Sequence, residues 1–451
     1  MSDLVCPLDF RYGRKEMKEI FSEDRKLQRY LDVEAALARA HAKVGNIPAA
    51  AAKEITEKAA AKLVKVERVK EIEAQIRHDV MAVVKAFGEH CSKESEKYIH
   101  FGATSYDIVD TANALNFRDA IAVLRSQLVE LRTNIVNLAD KHKETICIGR
   151  THGQHAVPMT FGLKMAVYAM EVDRHVERLD ECKKRVCVGK MSGATGTAAA
   201  LGEHAAEIQE IVMKDLRIGY AEAATQIVQR DRYAEFVSIL ANIATSMEKF
   251  ATEIRNLQRT ELNEASEWFD VAKQVGSSTM AQKKNPVACE QICGLARIAR
   301  SMIIPAYENC IQWHERDLTN SSAERFLIPH CVILTDYVVA ESAKVFKNLK
   351  VNPEAMLKNI EISNGRTMAE SVIIALTNKG CSRQEAHEIL RKSAMVSEAE
   401  GKHMKEILAK DKDVLKYLKQ KEIEAALNPK NYIGRSKEIA EGVVSKLKAK
   451  K

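Results

Sequence analysis

The chain has 451 residues, more than one hydrophobic core normally holds, so two or three structural units are expected. Hydrophobic residues make up 46% of the chain and aromatic residues only 5%, a composition that favours helices over sheets. The formal charge of +7 is modest and no base-stacking aromatic pattern accompanies it, which argues against nucleic acid as the partner.

The N-terminal sequence MSDLVCPLDFRYGRKEM has charged residues where a signal peptide would need an apolar run, and no stretch has the length expected of a bilayer-spanning segment. The ten cysteines show no CxxC pair and no spacing typical of a zinc site. We therefore expect a cytoplasmic protein with reduced thiols and no membrane contact.

The first predicted helix begins at Glu23, has apolar residues at every third or fourth position, and ends at Gly45. Shorter helical segments follow it. The polar stretch YIHFGATSYD at 98–107 then breaks the helical pattern. We place a boundary near Thr104, so that residues 1–104 form an N-terminal helical domain.

Two long segments without glycine or proline follow, from Ala103 to Ile148 and from Tyr220 to Val275. Their apolar residues alternate in steps of three and four, which is typical of helices packed nearly parallel to others. A helix over most of the second segment would be roughly 80 Å long at about 1.5 Å per residue, more than a compact monomer requires. We therefore predict a central long-helix bundle over residues 105–355 that assembles across subunits.

Two loops, at 150–162 and 189–202, interrupt this predicted bundle. The second is rich in glycine but lacks the GxxxxGK[ST] order of a phosphate-binding loop, so we interpret it as tight packing of small residues between helices. Beyond Pro353 the helical segments become shorter and more charged, which predicts a C-terminal helical domain over residues 356–451. The sequence as a whole predicts an all-α fold of three helical units.

Polar stretches that interrupt so helical a chain are the candidates for chemistry. They carry histidines that can move protons, serine hydroxyls, and cations that bind anions. The stretches are 98–107, 150–162, 276–291 and 313–325.

Each of these residues also has an ordinary structural interpretation. His152 and His155 could be a metal pair, although no HExxH pattern accompanies them. Ser277 and Ser278 could simply cap the next helix. Single residues therefore leave the function open, and only their combination favours a catalytic site.

The stretch GSSTMAQKKNP at 276–286 resembles the signature Gly-Ser-x-x-Met-x-x-Lys-x-Asn of the fumarase, aspartase and argininosuccinate lyase superfamily. Within that superfamily the chain is most similar to the adenylosuccinate lyase family. The segments that carry the resemblance span nearly the full length of the chain. They are FRYGRKEM, IRHDV, HFGATSYDIVDTA, GRTHGQHAVPMTFG, QIVQRDRYAEF, the signature and QWHERDLTNSSAER.

The resemblance implies a carbon–nitrogen lyase that eliminates fumarate from adenylosuccinate, giving AMP, and from succinyl-aminoimidazole carboxamide ribotide, giving AICAR. It implies Ser277 as the base and His152 as the acid, with Glu290 orienting the acid histidine. His78 resembles the family's second active-site histidine. Lys283 is suited to stabilise the serine oxyanion, together with backbone amides and a helix N-terminus. No metal or organic cofactor is implied.

The family's binding positions supply cations and hydroxyls for the phosphate and carboxylates of anionic nucleotide substrates. In this superfamily three subunits of a tetramer share each site, so the resemblance also implies a homotetramer. The binding positions map onto Arg11, Tyr12, Arg77, Asp79, Thr104, Ser105, Gln226, Ser278, Lys283, Asn285, Arg316, Ser321 and Arg325.

The chain departs from the family at Ala281, where proline usually follows the methionine of the signature. Alanine should leave the loop freer before substrate binds.

Two alternative functions stay open. One is another lyase or cycloisomerase of the superfamily, acting on argininosuccinate or carboxymuconate. The other is a non-catalytic helical scaffold, which would be expected to show damage at Ser277, His152 or Lys283, and all three residues are intact.

Overall fold

A computed structural model describes residues 5–270 and 273–450 of the chain. The protein is 66% helical, which confirms the predicted all-α fold. The α-helices of the described residues are α1 (Pro7–Phe10), α2 (Lys15–Ile20), α3 (Glu23–Lys43), α4 (Ala49–Lys58), α5 (Val66–Ile76), α6 (Asp79–Gly88), α7 (Lys93–Glu96), α8 (Ser105–Lys141), α9 (Phe161–Val186), α10 (Ala205–Leu216), α11 (Asp231–Leu257), α12 (Val287–Ser301), α13 (Ile303–Glu308), α14 (Thr319–Lys347), α15 (Pro353–Glu361), α16 (Ala369–Asn378), α17 (Arg383–Glu400), α18 (Met404–Leu408), α19 (Lys412–Leu415), α20 (Gln420–Ala426) and α21 (Ser436–Lys448).

Short strands pair two by two within the described residues. The pair β1 and β2 is antiparallel, β3 and β4 are parallel, and β5 and β6 are antiparallel. Short 3₁₀ helices cover Ala199–Leu201, Arg366–Met368 and Pro429–Tyr432. The strands are β1 (Ile146–Thr151), β2 (Gln154–Thr160), β3 (Val188–Gly189), β4 (Gly219–Tyr220), β5 (Ala265–Ser266) and β6 (Lys350–Val351).

The chain divides into two compact units. Unit 1 comprises Met1–Leu128, His175–Met247 and Gly294–Ala340, and unit 2 comprises Val129–Arg174, Glu248–Cys293 and Glu341–Lys451. The division into three domains at residues 104 and 355 stays a prediction.

Unit 1 has a hydrophobic core around α3, which packs against α4 and α10. Helix α3 begins as the sequence predicts, because the Ser22 side chain accepts a hydrogen bond from the backbone N–H of Arg25 at 3.2 Å. Its buried side includes Leu27, Leu31 and Leu37. In unit 2, α16 packs against α17 and α20 around a separate core.

The prediction of a long helix after Ala103 is confirmed by α8, which has 37 residues. The prediction for the segment from Tyr220 to Val275 is wrong. Its helix, α11, has 27 residues and is about 40 Å long at about 1.5 Å per residue. Tyr220 lies in β4, and the chain before α11 is held in a turn because Asp110 accepts the backbone N–H of Val228 at 2.7 Å. The absence of glycine and proline permits a helix but does not enforce one.

Helix α14 corrects a second expectation. It is long and apolar enough to cross a membrane by length and composition, although no such stretch was expected from the sequence. Within the protein, 72% of its most apolar window is buried, as in the core helix of a folded domain. The helix also begins at Thr319, so Ser321 and Arg325 lie inside its first two turns.

Candidate active site

The stretch at 276–286, which we call the signature loop, is closed by contacts between its two ends. The side-chain amide of Asn285 donates a hydrogen bond to the Gly276 carbonyl at 3.0 Å. A Cβ atom at residue 276 would lie 2.0 Å from the Lys283 carbonyl oxygen, so only glycine fits there. The glycine and asparagine of the signature therefore have a structural reason, which is the closure of this loop.

Ser277 occupies a tight turn inside the signature loop. Its Oγ accepts the backbone N–H of Thr279 at 3.3 Å and that of Met280 at 3.1 Å. The interpretation that Ser277 caps the next helix is wrong, because α12 begins ten residues later, at Val287. The turn places the serine oxygen where two peptide dipoles point at it, an arrangement that favours negative charge on that oxygen.

The N-terminus of α12 is occupied by Glu267. Its carboxylate accepts the backbone N–H of Cys289 at 2.6 Å and that of Ala288 at 3.2 Å. Burial, followed by the charge of Glu267, raises the pKa of the Cys289 thiol. The helix N-terminus that was expected to stabilise the serine oxyanion therefore already holds a carboxylate. Sequence analysis missed Glu267, which carries no local motif.

A cavity of about 1000 Å³ in unit 2 includes much of the signature loop in its wall. Glu290, in the first turn of α12, is exposed and lines this cavity. The cations of the wall outnumber its carboxylates, and one of those carboxylates, Glu267, already caps α12. The cavity is therefore suited to an anionic ligand. Its charged lining residues are Arg255, Arg259, Lys283, Lys284, Glu267 and Glu290.

His152 lies at the tip of the hairpin formed by β1 and β2. The expectation of an irregular loop at 150–162 is wrong, since most of that stretch forms β2 and the hairpin turn. His152 has φ of 54° and Gly153 has φ of 74°, the left-handed values that a two-residue type I′ turn requires. His152 is exposed at this turn. The dipeptide His-Gly was the overlooked hairpin signal.

An ion pair with a buried carboxylate holds this hairpin close to its turn. Arg150 forms a bidentate ion pair with Glu264, with N···O distances of 2.6 and 3.0 Å, and Asn359 donates to the same carboxylate at 2.7 Å. Burial opposes the charge on Arg150, but the hydrogen bonds and charge of Glu264 raise its pKa. Glu264 and Asn359 were not identified from the sequence, because acidic and amide residues in loops give no pairing signal.

His155 takes part in the same hairpin rather than in a metal pair. Its Nδ1 lies 2.8 Å from the Ser363 hydroxyl oxygen. Burial, with Arg150 nearby, lowers the pKa of His155. Among residues 5–270 and 273–450, no group of three or more His, Cys, Asp or Glu side chains is arranged to hold a metal ion.

In unit 1, the predicted residues Arg77, His78 and Asp79 lie where α5 ends and α6 begins. Arg77 has φ of 54°, and the His78 ring caps α6 by accepting the backbone N–H of Met81 at 3.3 Å. Asp79 forms an ion pair with Arg325 at 2.7 Å. Two predicted binding residues that are 246 positions apart in the chain are thus brought together.

Arg316 is the most constrained of the predicted anion ligands. Its Nη1 donates to the Gln226 side-chain oxygen at 2.9 Å and its Nε to the Asp317 carbonyl at 2.9 Å. The guanidinium carbon lies 3.4 Å from the ring centre of Tyr106, which also hydrogen-bonds Ser321. Nη2 is buried and has no hydrogen-bond partner. Tyr106 was missed by sequence analysis because it fits the apolar face of α8.

The turn before α8 is anchored by Asp107, a fully buried residue that sequence analysis also missed. Asp107 accepts the backbone N–H of Thr104 at 2.8 Å and pairs with the buried Lys190. Ser105 is the first residue of α8. Thr104, a predicted binding residue, is therefore held by a charge in the first turn of α8, and the predicted binding residue Ser105 begins that turn.

The stretch that leads into this turn is tied down by two histidines. His100 pairs with the buried Glu34, with Nδ1 2.6 Å from the carboxylate, and this pairing raises the pKa of His100 although burial opposes it. His41 Nε2 lies 2.9 Å from the Phe101 carbonyl oxygen, and burial lowers the pKa of His41.

Near the N-terminus, Arg11 Nε donates to the Tyr12 hydroxyl at 3.3 Å.

The predicted site residues are distributed between the two units. Unit 2 holds the two residues assigned to proton transfer, Ser277 and His152. It also holds Ser278, Lys283, Asn285 and Glu290. Unit 1 holds His78 and most of the predicted anion ligands. These ligands are Arg11, Tyr12, Arg77, Asp79, Thr104, Ser105, Gln226, Arg316, Ser321 and Arg325.

Two family models match the chain. One, described as Lyase, matches residues 10–300, and the other, described as Adenylosuccinate lyase C-terminus, matches residues 365–443. Together they cover both the signature loop and the helices near the C-terminus.

Relatives extend the similarity over nearly the whole chain. An adenylosuccinate lyase from Pyrococcus abyssi is 52% identical over 98% of this chain and 97% of its own length. One from Methanocaldococcus jannaschii is 48% identical over 99% of this chain and 97% of its own length. The solved structure of a 3-carboxy-cis,cis-muconate lactonizing enzyme from Pseudomonas putida is 31% identical, covers 98% of each chain and has a TM-score of 0.90.

Proposed function

Because the chain belongs to the adenylosuccinate lyase family, we propose that it eliminates fumarate from adenylosuccinate, giving AMP, and from succinyl-aminoimidazole carboxamide ribotide, giving AICAR. It is a fumarate-releasing lyase of purine biosynthesis. The observation that carries the reaction type is the Ser277 turn, in which two backbone N–H groups point at one serine oxygen.

Ser277 is the proposed base. Cleavage of the carbon–nitrogen bond requires removal of a weakly acidic proton next to a carboxylate, and a serine oxygen can accept that proton only if its oxyanion is stabilised. The N–H groups of Thr279 and Met280 already donate to this oxygen, and Lys283 of the same loop adds positive charge. The loop thus carries its own stabilisers and does not depend on the α12 N-terminus.

His152 is the proposed acid that protonates the leaving nitrogen. The type I′ turn holds its ring out from the hairpin tip, where it is exposed. Glu290 is proposed to orient the ring and fix its tautomer once the site is assembled. His78 is proposed as a second histidine close to the substrate.

The phosphate and carboxylates of the substrate are proposed to bind the predicted cations and hydroxyls. Arg316 supports this proposal most directly, because three contacts fix its guanidinium and leave the buried Nη2 unsatisfied. A ligand oxygen would satisfy that nitrogen in a charge-assisted hydrogen bond. The proposed reaction needs neither a metal nor an organic cofactor, and we place the enzyme in the cytoplasm.

We propose further that the protein is a homotetramer whose sites take residues from several copies of the chain. Helices α8, α11 and α14 have 37, 27 and 29 residues, lengths suited to a bundle formed by several chains. Large apolar side chains are exposed around α13 and the segment after it, and exposed apolar patches mark interaction surfaces. They include Ile304, Tyr307, Ile311 and Trp313.

The activity is tested by mixing purified protein with adenylosuccinate and following ultraviolet absorbance. We expect AMP and fumarate in equal amounts. A folded, tetrameric protein that leaves the substrate unchanged would contradict the proposal. Shared sites are tested by mixing two impaired variants, Ser277→Ala and Arg316→Met, under conditions that allow the subunits to exchange. Recovery of activity is expected, because some sites in the hybrid receive both native residues.

A second function is favoured by one observation. The Pseudomonas putida structure, with its TM-score of 0.90, is that of a carboxymuconate lactonizing enzyme. The same absorbance assay with 3-carboxy-cis,cis-muconate separates the two candidates. Turnover of that compound without turnover of adenylosuccinate would replace the first proposal by the second.

A further inference from the structure

The glycine-rich stretch at 189–202, which we call the glycine-rich loop, lies in unit 1 with most of the predicted anion ligands. We propose that this loop positions Arg316 through the side chain of Gln226, and thereby sets the affinity for the anionic substrate. Gln226 then acts as a positioning residue for Arg316. This inference rests on the proposed function, which makes Arg316 a ligand of the substrate.

Both ends of the Gln226 side-chain amide are engaged. Its Nε2 donates to the Ala194 carbonyl of the glycine-rich loop at 3.1 Å, and its Oε1 accepts from Arg316 Nη1 at 2.9 Å. A carbonyl can only accept and a guanidinium can only donate, so the orientation of the amide is determined by its partners. The amide is a direct link between the loop and the arginine.

The main chain of Gln226 is also bonded to the segment that carries Arg316. Its N–H donates to the Glu315 carbonyl at 3.3 Å, next to Arg316 in the chain. The glycine-rich loop also presses against the residues just before Gln226, because a Cβ atom at Gly196 would lie 1.9 Å from the Ala224 carbonyl oxygen. A shift of the loop at Gly196 therefore moves the segment that carries Gln226.

The first residues of the loop are fixed by a buried charge. Asp107 accepts the backbone N–H of Ser192 at 2.9 Å and that of Gly193 at 3.1 Å, and it pairs with Lys190. Lys190 and Asp107 are both fully buried. Since Asp107 also holds Thr104, the consecutive loop residues 192–194 are tied both to the turn before α8 and to Gln226.

These contacts go beyond the packing of small residues that was expected from the sequence. Packing alone would require small side chains but no directed hydrogen bonds to expected binding segments. The loop instead forms hydrogen bonds to the side chains of Asp107 and Gln226, residues on two different segments. Positioning of a binding group by surrounding structure can change a rate or an affinity without any contact with the substrate.

The first test is Gly196→Ala, with Gly45→Ala as the matched control. The two glycines have φ of 87° and 85°, so alanine meets a similar backbone strain at both. Only the Cβ at residue 196 meets another segment, since nothing lies within 4 Å at Gly45. We expect the KM for adenylosuccinate to rise about tenfold in Gly196→Ala, with kcat changed less than about threefold, and neither to change in Gly45→Ala.

A double-mutant cycle tests the route through Gln226. Gln226→Met keeps the length of the side chain but removes the amide, and should reproduce the rise in KM. If the loop acts through this amide, Gly196→Ala combined with Gln226→Met will raise KM no further than either change alone. If the two rises multiply, or if Gly196→Ala leaves KM unchanged, the proposal is wrong.

A second cycle does not depend on Gly196→Ala folding. If Gln226 acts through Arg316, Gln226→Met will have little effect on KM in an Arg316→Met background. If Gln226 contacts substrate independently, its effect will be the same in both backgrounds, and the positioning role is excluded.

Hydrogen exchange separates failure of this inference from failure of the proposed function. In Gly196→Ala the backbone amide of Gln226 should exchange faster than in wild type, because its hydrogen bond to Glu315 is weakened, whereas Gly45→Ala should not change it. This readout needs no substrate. If wild type is inactive but Gly196→Ala still speeds exchange at Gln226, the proposed function is wrong and the link between loop and Gln226 stands. If Gly196→Ala leaves exchange at Gln226 unchanged, the link is wrong.

Discussion

The glycine-rich loop 189–202 and the signature loop 276–286 are both rich in small and polar residues, yet they are held in opposite ways. The glycine-rich loop includes the fully buried Lys190 and is tied to Asp107 and Gln226, both outside the loop. The signature loop is closed on itself by Asn285, and its residues 278–284 are exposed.

This difference suggests different roles for the two loops in binding and in proton transfer. We infer that the glycine-rich loop belongs to a prearranged binding surface, because its bonds to other segments leave little freedom. The signature loop carries the proposed base, and we propose that it closes over substrate, because its internal turn does not depend on those bonds. Closure would exclude water and bring Ser277 to the proton. Changes in the first loop should therefore act on KM, and loss of the proposed base in the second should act on kcat.

The largest expected effect follows from Ser277→Ala, which removes the proposed base. We expect kcat to fall by about 10²–10⁴-fold with a small change in KM, since a positioned base contributes about that much. Steady-state kinetics with adenylosuccinate measure both constants. The neighbouring change Ser278→Ala serves for comparison and should act mainly on KM. Full turnover by Ser277→Ala would move the role of base to His78.

A similar loss is expected from His152→Asn, which removes the proposed acid but keeps the turn. Asparagine tolerates left-handed φ, and Asn-Gly is a favoured type I′ pair, so Tm should stay equal or rise. We expect kcat to fall at least about 10²-fold. His152→Ala should lose both activity and stability. An active His152→Asn would show that another group protonates the leaving nitrogen.

The hairpin that carries His152 should be sensitive to Arg150→Ala. This change leaves the Glu264 carboxylate buried without its ion-pair partner, which costs about 3 kcal/mol in the free energy of unfolding. Urea denaturation measures that loss. Arg150→Lys keeps the charge but not the bidentate geometry. Its free energy of unfolding should lie between those of wild type and Arg150→Ala. A loss below about 1 kcal/mol would mean that the ion pair does not anchor the hairpin.

On the binding side, the pair of His100 with Glu34 should make stability depend on pH. The pKa of His100 is raised above its ordinary value of 6.5, so the pair contributes fully below that value and its contribution is lost as pH rises through the raised pKa. The free energy of unfolding of wild type should exceed that of His100→Asn most below pH 6.5. The difference should be smaller at alkaline pH. Asparagine is chosen because residue 100 has φ of 64°.

The measurement for this pair is a set of urea denaturation curves for both proteins across pH. His41, whose lowered pKa gives the opposite pH dependence, is present in both proteins and cancels in the difference. A difference that does not change with pH would show that the charge on His100 does not contribute to the pairing.

The smallest effect is expected from Ala281→Pro, which restores the residue usual in the family. Proline should reduce the freedom of the open signature loop and lower its ordering cost by about 0.4–1 kcal/mol. We expect an unchanged kcat and an unchanged or lower KM. A collapse of activity would mean that the loop needs the freedom that Ala281 provides.

Much of the fold and part of the site could be predicted from the sequence. The period of the apolar residues predicted α3 and α8, and the signature motif identified the loop at 276–286. The same pattern failed between Tyr220 and Val275, because Asp110 and other distant partners hold the chain before α11 in a turn. It also failed for β1 and β2, whose pairing depends on left-handed φ values at His152 and Gly153.

The sequence by itself determined that this protein is helical, which polar stretches interrupt the helices, and to which family of lyases it belongs. Local pattern is enough for these conclusions, because helix period, glycine positions and a short motif are all properties of neighbouring residues. Only the tertiary structure decided which polar groups satisfy one another. Arg150 and Glu264 are 114 positions apart, and Arg316 and Gln226 are 90 apart. Buried charges must find partners wherever the fold places them, and that requirement leaves no mark on the local sequence.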